Sequence, residues 1–214
     1  MLKDQGVIFD LDGVICSTDE YHYLAWKALA NRLGIPFDRE RNNLLRGVSR
    51  MASLEIILEK ADRAYTEEEK NAFAEEKNTL YRSLLGRMSA SDLSDEVRAT
   101  LDALRAQGLK LAIGSSSRNT PFILDRIGLG RYFDAVADGN CITRSKPDPE
   151  VFLKAASFLG LDPGVCLVVE DAHAGVQAAR AGGFDCAAMG DARDDALADY
   201  HMMSFAELLQ AVTA

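Results

Sequence analysis

Carboxylates and a hydroxyl stand where short apolar segments of this chain end. The first segment runs into Asp10 and Asp12, a later one reaches Ser115, and another ends at Glu170 and Asp171. Two carboxylates separated by one residue repel each other unless a hard cation such as Mg²⁺ lies between them. With that cation present, one carboxylate can attack phosphorus while the other moves a proton. The pattern therefore predicts phosphoryl transfer at a divalent metal.

The same hypothesis uses a hydroxyl and a lysine to bind the phosphoryl group. Ser115 and nearby backbone N–H groups can hold phosphoryl oxygens, and Lys146 adds a point cation. Each residue also has an ordinary structural alternative. A serine triplet is commonly a loop, Asp171 can cap a helix, and Lys146 can be a solvated residue before a helix that begins at Pro149. Their joint occurrence, in order and each after an apolar segment, favours function over these alternatives.

Five short apolar segments, rich in β-branched residues, must position these groups: residues 6–9, 109–113, 135–137, 165–169 and 186–189. Each is apolar on both faces, which is typical of parallel strands covered by helices. Helical patterns alternate with them over 96–107, 121–127, 149–159 and 175–181, and the end of the chain suggests an edge strand within 200–203 and a helix over 205–212. This alternation predicts an α/β fold with a doubly wound, Rossmann-like parallel sheet, whose ligands bind beyond the carboxyl ends of the strands.

Residues 17–87 break the alternation, because they show helical patterning and no convincing strand. Two apolar stripes at helical spacing lie in this stretch: Tyr23, Trp26, Ala30 and Leu33, then Leu54, Ile57, Leu58 and Ala61. The stretch is far longer than a crossover between parallel strands needs. We therefore predict an inserted all-helical cap over 17–87, between the two parts, 1–16 and 88–214, of an α/β core. The charge-rich segment 65–85 is predicted to be a solvated helix face.

Composition narrows the classes of protein and partner. The 214 residues carry 33 acids and 24 bases, a net charge of −9, and 48% of them are hydrophobic. That balance excludes wholesale disorder, and the absence of a basic stripe or a long apolar run argues against nucleic acid and membrane partners. Four scattered cysteines without a CxxC pair, and a start unlike a signal peptide, predict free thiols in a reducing compartment. We expect a cytoplasmic monomer.

Four motifs together resemble the signatures of the haloacid dehalogenase-like phosphotransferases: DLDGV from Asp10, the serine motif at Ser115, Lys146-Pro147 and Glu170-Asp171. The resemblance covers the whole chain. Within that superfamily, residues 10–15, 20–22, 25–30 (AWKALA), 47–50 (GVSR) and the segment from Asn119 to Phe122 are similar to the β-phosphoglucomutases. These enzymes interconvert β-glucose 1-phosphate and glucose 6-phosphate through a sugar bisphosphate, so the resemblance implies a small-molecule sugar phosphate as substrate.

The resemblance also implies a role for each matching residue. Asp10 would be the phosphorylated nucleophile and Asp12 the general acid and base. Mg²⁺ would be bound by Asp10, the Asp12 carbonyl and Asp171, with Glu170 beside them. Thr18, His22, Ser115 and Lys146 would assist catalysis. The substrate-binding set would comprise Arg46, Gly47, Val48, Ser49, Arg50, Lys77, Ser116, Ser117, Arg118 and Asn119.

Two alternatives to the mutase stay open at this stage. A phosphatase acting on small sugar phosphates would use the same core motifs, although the GVSR segment favours the mutase. A non-catalytic binding protein would be expected to have lost at least one of Asp10, Asp12, Lys146 and Asp171. The chain also carries Arg46 and Arg118 where the mutases carry lysine. The guanidinium group of arginine is planar and donates several hydrogen bonds in fixed directions, whereas the ammonium group of lysine acts as a point charge. This departure therefore affects how the sugar and its distal phosphate would be recognised.

Overall fold

A six-stranded sheet, with every pair of neighbouring strands parallel, forms the centre of the molecule. The computed structural model describes residues 4–213. The strands are β1 Gly6–Phe9, β2 Lys110–Gly114, β3 Ala135–Ala137, β4 Cys166–Glu170, β5 Asp185–Ala188 and β6 Tyr200–His201, in the spatial order β3-β2-β1-β4-β5-β6. The order reverses direction at β1, so the predicted doubly wound, Rossmann-like sheet is confirmed.

Helices fill the chain between the strands. Five of the described helices lie between β1 and β2: α1 Asp19–Arg32, α2 Arg39–Asn43, α3 Arg50–Leu58, α4 Glu67–Leu85 and α5 Asp95–Ala106. The helices after β2 are α6 Thr120–Arg126, α7 Glu150–Leu159, α8 His173–Ala181 and α9 Leu208–Ala211. The predicted last helix is shorter than expected, because its first turn, Phe205–Glu207, is a 3₁₀ helix. Within residues 4–213, no helix is both long enough and apolar enough to cross a membrane.

Side-chain caps fix where α3 and α4 begin. The Ser49 hydroxyl accepts the N–H of Ala52 at 3.2 Å, so Arg50 becomes the first residue of α3. Thr66 and Glu69 form a capping box at the start of α4. These caps matter for function because they set which residues face the sheet edge.

Apolar side chains cover both faces of the sheet, which explains why its strands appear in the sequence as continuous hydrophobic runs. Residues such as Phe9 and Leu111 pack on one face, whereas Ile8 and Val168 pack on the other. A third buried cluster joins α1, α3 and α4, and it includes the predicted stripe residues Trp26, Ala30, Leu54 and Ile57. The four cysteines are free, as the sequence predicts.

The prediction of a solvated face for residues 65–85 is wrong for one side of α4. Ala74, Lys77, Tyr81 and Leu85 are all buried there, and α4 packs against α1. Their spacing of three and four residues is that of a buried helix stripe. The stripe is obscured in the sequence because one of its members is a lysine and its neighbours are charged.

Burial in α7 gives a direct test of the packing. Phe152 has no exposed surface, whereas Phe158 on the same helix is 54% exposed. We predict that Phe152→Ala lowers the free energy of unfolding by about 3–5 kcal/mol, because it empties a buried site. The control Phe158→Ala should change it by about 0.5 kcal/mol or less. Urea denaturation followed by circular dichroism measures both, and equal losses would contradict this packing.

Candidate active site

The carboxyl ends of β1, β2 and β4 meet at one edge of the sheet. The strand register places Phe9 beside Ile113 on one side and Val169 on the other, so the residues that follow these strands become neighbours. A cavity of about 910 Å³ lies at this edge. Its walls come from the strand ends and from the helical stretch between β1 and β2. This is where a doubly wound sheet is expected to bind a ligand.

Three carboxylates form a cluster in this cavity. Oxygen atoms of Asp10, Glu170 and Asp171 all lie within 4.8 Å of one another. Lys146 Nζ contacts Asp10 Oδ1 at 2.5 Å and also donates to Glu170 Oε1. Lys146 is only 3% exposed, so the alternative that it is a solvated residue before a helix is wrong. Its peptide bond to Pro147 is cis.

Glu170 holds the loop before α8 as well as the lysine. Its second carboxylate oxygen accepts the N–H groups of Asp171 at 3.0 Å and Ala172 at 3.1 Å. Asp171 therefore does not cap α8, whose N-cap is Ala172. Because the oxygens of Glu170 are already engaged, Asp10 and Asp171 are the carboxylates best placed to bind a further cation.

Two glycines make room for these carboxylates. A Cβ added at Gly175 would lie 1.9 Å from the carboxyl carbon of Glu170, so only glycine lets α8 approach that closely. A Cβ at Gly13 would lie 2.0 Å from Asp171 Oδ2, and Gly13 has a φ of +91°, where glycine is favoured. The glycine of the DLDGV motif thus serves both the turn and the carboxylate cluster.

Burial dominates the titration of the cluster. It raises the pKa of Glu170 and of Asp171 above the usual carboxyl range; Lys146 opposes this most strongly at Glu170, and Glu170 reinforces it at Asp171. Burial would lower the pKa of Lys146, but Asp10 and Glu170 raise it above its usual value. The lysine thus stays charged, while Glu170 and Asp171 bind a proton more readily than free carboxyl groups do until a cation replaces it.

Asp12 lines the same cavity and is joined to the start of α1. The Thr18 hydroxyl donates to Asp12 Oδ1, and Thr18 is the N-cap residue of α1. Burial, with a contribution from Asp10, raises the pKa of Asp12 to about 7, although the Thr18 hydrogen bond works against the shift. A carboxyl group with that pKa can give and take a proton at neutral pH.

Half-buried His22 on α1 and buried Lys77 on α4 form a second polar group. Lys77 Nζ lies 3.0 Å from His22 Nδ1, and it also lies 4.6 Å from the ring centre of Trp26 and 4.3 Å from that of Tyr81. Burial lowers the pKa of both His22 and Lys77 well below their usual values. Arg50 lowers both further, and Lys77 also lowers that of His22.

The serine loop after β2 supplies hydroxyl and amide groups. The Ser115 hydroxyl accepts the N–H of Ser117, and the Ser117 hydroxyl accepts the N–H of Asn119, both at 3.2 Å. The Ser116 hydroxyl is buried in the cavity wall without a hydrogen-bond partner among residues 4–213. Arg118 is exposed and donates to the Gly139 carbonyl at 3.2 Å. The loop therefore presents polar groups that a phosphoryl oxygen could satisfy.

Arg50 and Asn119 meet at a residue that the sequence did not single out. Asn78 Oδ1, on α4, accepts from Arg50 Nη2 at 2.8 Å and from Asn119 Nδ2 at 3.0 Å. A single asparagine in a charged helix belongs to no recognisable motif. Its position next to Lys77 was the only feature of the sequence that could have indicated a role in the site.

The segment before α3 rests on the loops around the carboxylates. Arg46 forms ion pairs with Asp19 at the start of α1 and with Asp191 after β5, neither of which was predicted. A Cβ added at Gly47 would lie 3.3 Å from Ala172 Cβ and 3.6 Å from Ala174 Cβ. Val48 and Ser49 line the cavity beside Gly47 and Arg50.

Most of the predicted site residues share this one cavity. Thr18 alone among them does not line it, since it is buried behind Asp12 with 1% exposure. The cavity-lining members are Asp10, Asp12, His22, Arg46, Gly47, Val48, Ser49, Arg50, Lys77, Ser115, Ser116, Ser117, Arg118, Asn119, Lys146, Glu170 and Asp171.

Comparison with known proteins agrees with this architecture. The sequence profile of the haloacid dehalogenase-like hydrolases matches residues 5–183. A β-phosphoglucomutase of Bacillus subtilis is 42% identical over 188 residues, 87% of this chain and 83% of the relative. Fructose-1-phosphate phosphatase YqaB of Escherichia coli is 35% identical over 84% of this chain and 93% of its own.

A solved structure extends the agreement to the whole fold. The crystal structure of a β-phosphoglucomutase from Clostridium difficile matches with a TM-score of 0.92 and 35% identity, over 98% of this chain and 97% of the other. The motifs, the sheet order and these relatives agree on one assignment. The chain belongs to the haloacid dehalogenase-like hydrolase family, among its β-phosphoglucomutase members.

Proposed function

We propose that this chain is a β-phosphoglucomutase that interconverts β-D-glucose 1-phosphate and glucose 6-phosphate through an aspartyl phosphate and a sugar bisphosphate. The observation that carries the proposal is a cavity with two kinds of wall. One wall holds the carboxylate cluster and Lys146, and the other holds Arg50 with Asn119. A sugar bisphosphate needs a reactive site for one phosphate and an anion site for the other. The Bacillus subtilis relative supports the same activity.

Asp10 is the proposed nucleophile. Its Oδ1 is held by Lys146, which orients the carboxylate and leaves Oδ2 to attack phosphorus. The bond between phosphorus and the sugar oxygen then breaks, and Asp12 gives a proton to that oxygen. In the reverse step Asp12 takes a proton from the attacking sugar hydroxyl, and the phosphoryl group leaves Asp10. Ser115, Ser116 and backbone N–H groups of the serine loop hold the phosphoryl oxygens.

The carboxylate cluster fits Mg²⁺. Its donors are hard oxygens, and the raised pKa of Asp171 marks a site where negative charge lacks compensation. Asp10, Asp171 and the Asp12 carbonyl would hold the ion, with Glu170 supporting the loop and the lysine. Bound there, Mg²⁺ supplies charge neutralisation for the carboxylates and the phosphoryl oxygens.

We also propose that residues 17–87 act as a cap that closes over the core formed by 1–16 and 88–214. The separate buried cluster around Trp26 and Leu54 supports this division. Polar contacts cross it at the site, namely Arg46 with Asp191, Asn78 with Asn119, and Thr18 with Asp12. Thr18, His22 and Lys77 would place Asp12 against the sugar oxygen when the cap is closed. Closure excludes water, so the aspartyl phosphate reacts with a sugar hydroxyl instead of being hydrolysed.

A sugar-phosphate phosphatase is the second candidate, and the Escherichia coli relative favours it. Such an enzyme would use the same nucleophile, acid and metal, with water as the acceptor. We expect glucose phosphates first, although other hexose or disaccharide phosphates share the chemistry that this cavity recognises.

The first test follows phosphorus directly. With Mg²⁺, β-glucose 1-phosphate and a trace of the bisphosphate, we expect phosphorus NMR to show glucose 6-phosphate. Asp10→Asn should abolish that conversion, because an amide attacks phosphorus poorly. Inorganic phosphate as the main product would support the phosphatase instead. An Asp10→Asn variant within about tenfold of the parent, a difference below about 1.4 kcal/mol, would remove Asp10 from its proposed role.

The second test uses pH and Mg²⁺. Because folding raises the pKa of Asp171, the metal-free folded state binds more protons than the unfolded chain from about pH 4 up to that raised pKa. Stability without metal should therefore fall as pH rises through this window. Mg²⁺ displaces those protons, so it should raise Tm more at pH 8 than at pH 6. A tenfold change in apparent affinity corresponds to roughly 3–6 °C in Tm.

The matched variants for this test are Asp171→Asn and Asp194→Asn. The Asp194 side chain is 81% exposed, so its variant should keep the dependence of the Mg²⁺ effect on pH. Asp171→Asn should lose most of it. Thermal unfolding with and without Mg²⁺ measures both, and an unchanged Mg²⁺ effect in Asp171→Asn would exclude this residue as a ligand.

The third test separates the two candidate functions. Arg50→Ala should lower the mutase kcat/KM by about tenfold or more, the loss expected for a charge-assisted contact. Hydrolysis of a small acyl phosphate should change little, since that substrate has no distal phosphate. The control Arg82→Ala removes an exposed cation from α4 and should leave both rates within about twofold. If Arg50→Ala lowers both reactions equally, Arg50 is a structural residue.

A further inference from the structure

We propose that Asn78 is the residue that positions the distal-phosphate site, by holding Arg50 and Asn119 on one neutral oxygen that a phosphate oxygen can replace. This inference rests on the proposed function and names a residue that the sequence motifs leave out. Its starting point is the pair of hydrogen bonds, 2.8 Å and 3.0 Å long, that converge on Asn78 Oδ1.

The orientation of both amide groups follows from the guanidinium group. Arginine has only donors, so the Asn78 atom that contacts Arg50 must be the carbonyl oxygen. The atom that Asn119 presents to the same oxygen must then be its NH₂ group. The arrangement therefore places two donors from different residues around one acceptor.

The three residues come from three separate elements. Arg50 begins α3, Asn78 lies on α4, and Asn119 is the N-cap residue of α6, after β2. Asn119 is 5% exposed, and Arg50 is half-buried. Donors at such positions need an acceptor, because water reaches them poorly. Without Asn78, the two donors would have no shared group to hold them at the distance that one phosphate requires.

The neutrality of Asn78 is the property that suits it to this role. Hydrogen bonds to a charged acceptor are roughly twice as strong as those to a neutral one. A phosphate oxygen therefore displaces the amide oxygen from Arg50 and Asn119. Arg50 Nη1 already lies 3.6 Å from the exposed carboxylate of Glu75. An aspartate in place of Asn78 would add a second, less exposed carboxylate to Arg50 and repel the phosphate. Asn78 thus aligns the donors without competing for them.

Two neighbouring side chains on α4 contact different groups of site residues. Lys77 contacts His22, whereas Asn78 contacts Arg50 and Asn119. Successive residues on a helix point about 100° apart, so adjacent positions can serve different parts of one cavity. The buried stripe of α4 therefore holds the acid–base side of the site, and its edge holds the distal-phosphate side.

The test compares Asn78→Asp, Asn78→Ala and the control Asn31→Asp. Asn31 is exposed on α1 and does not line the cavity, and its variant makes the same change of amide to carboxylate. We expect Asn78→Asp to lower the mutase kcat/KM by about 100-fold, mainly through KM, and Asn78→Ala by about tenfold. Phosphorylation of Asp10 by a small acyl phosphate should stay within about twofold in all three, as should every rate of Asn31→Asp.

A direct binding measurement keeps this proposal apart from the proposed function. Inorganic phosphate is titrated into each protein, and the side-chain amide signal of Asn119 is followed by NMR. We expect saturable shifts in the parent, an affinity at least about tenfold lower in Asn78→Asp, and no change in Asn31→Asp. A parent that hydrolyses sugar phosphates without isomerising them would overturn the mutase function alone.

Three results would overturn the role of Asn78. The first is an Asn119 signal in the parent that does not respond to phosphate. The second is Asn78→Asp with the KM and phosphate affinity of the parent. The third is a loss in Asn78→Ala that falls equally on the acyl phosphate reaction, which would mark Asn78 as a structural residue. Thermal unfolding of each variant shows whether it is folded, and Asn78→Ala provides the test if Asn78→Asp is not.

Discussion

The rest of this structure depends on one constraint: three carboxylates must stay close together in a buried site. Asp10, Glu170 and Asp171 cannot all carry charge within 4.8 Å unless positive charge compensates them, and Lys146 supplies part of it. The parallel sheet brings the residues together, because it ends three neighbouring strands at one edge. Gly175 lets α8 approach Glu170, and the amides at its start bind that carboxylate. The fold thus maintains a local excess of negative charge that favours binding of a divalent cation.

The helical stretch from α1 to α4 meets this carboxylate cluster mainly through polar contacts. Many of its apolar residues form their own buried cluster around Trp26 and Leu54, whereas Tyr81 and Leu85 near the end of α4 pack into the buried cluster of the sheet. Contacts with the sheet edge include hydrogen bonds and ion pairs, such as Arg46 with Asp191. Exposed or half-exposed polar pairs contribute little free energy individually. The polar part of this boundary therefore holds the two sides together only weakly.

The sequence predicts much of the fold because buried parallel strands and amphipathic helices leave strong periodic signals. The central strands lie within a residue of their predicted positions, whereas the edge strand at Tyr200 and the last helix are shorter than expected. Motif residues such as Asp10 and Lys146 were predicted to meet, although 136 positions separate them. Asn78 and Asp191 could not be predicted, because a lone amide or carboxylate shows its partner only in three dimensions. The buried face of α4 was missed because charged residues mask its stripe.

The contact of Gly47 with Ala172 and Ala174 bears on how fast the enzyme can release its product. A single added Cβ at Gly47 would already touch both methyl groups, so the loop lies on the core by backbone alone. Backbone resting on two methyl groups removes little apolar surface from water, at about 25 cal/mol per Å². Gly47 also has a φ of +73°, where any other residue would be strained, so a larger side chain would crowd the two methyl groups and disturb the loop. This contact therefore opposes the release of a sugar phosphate only weakly, because separating the loop from the core exposes little apolar surface.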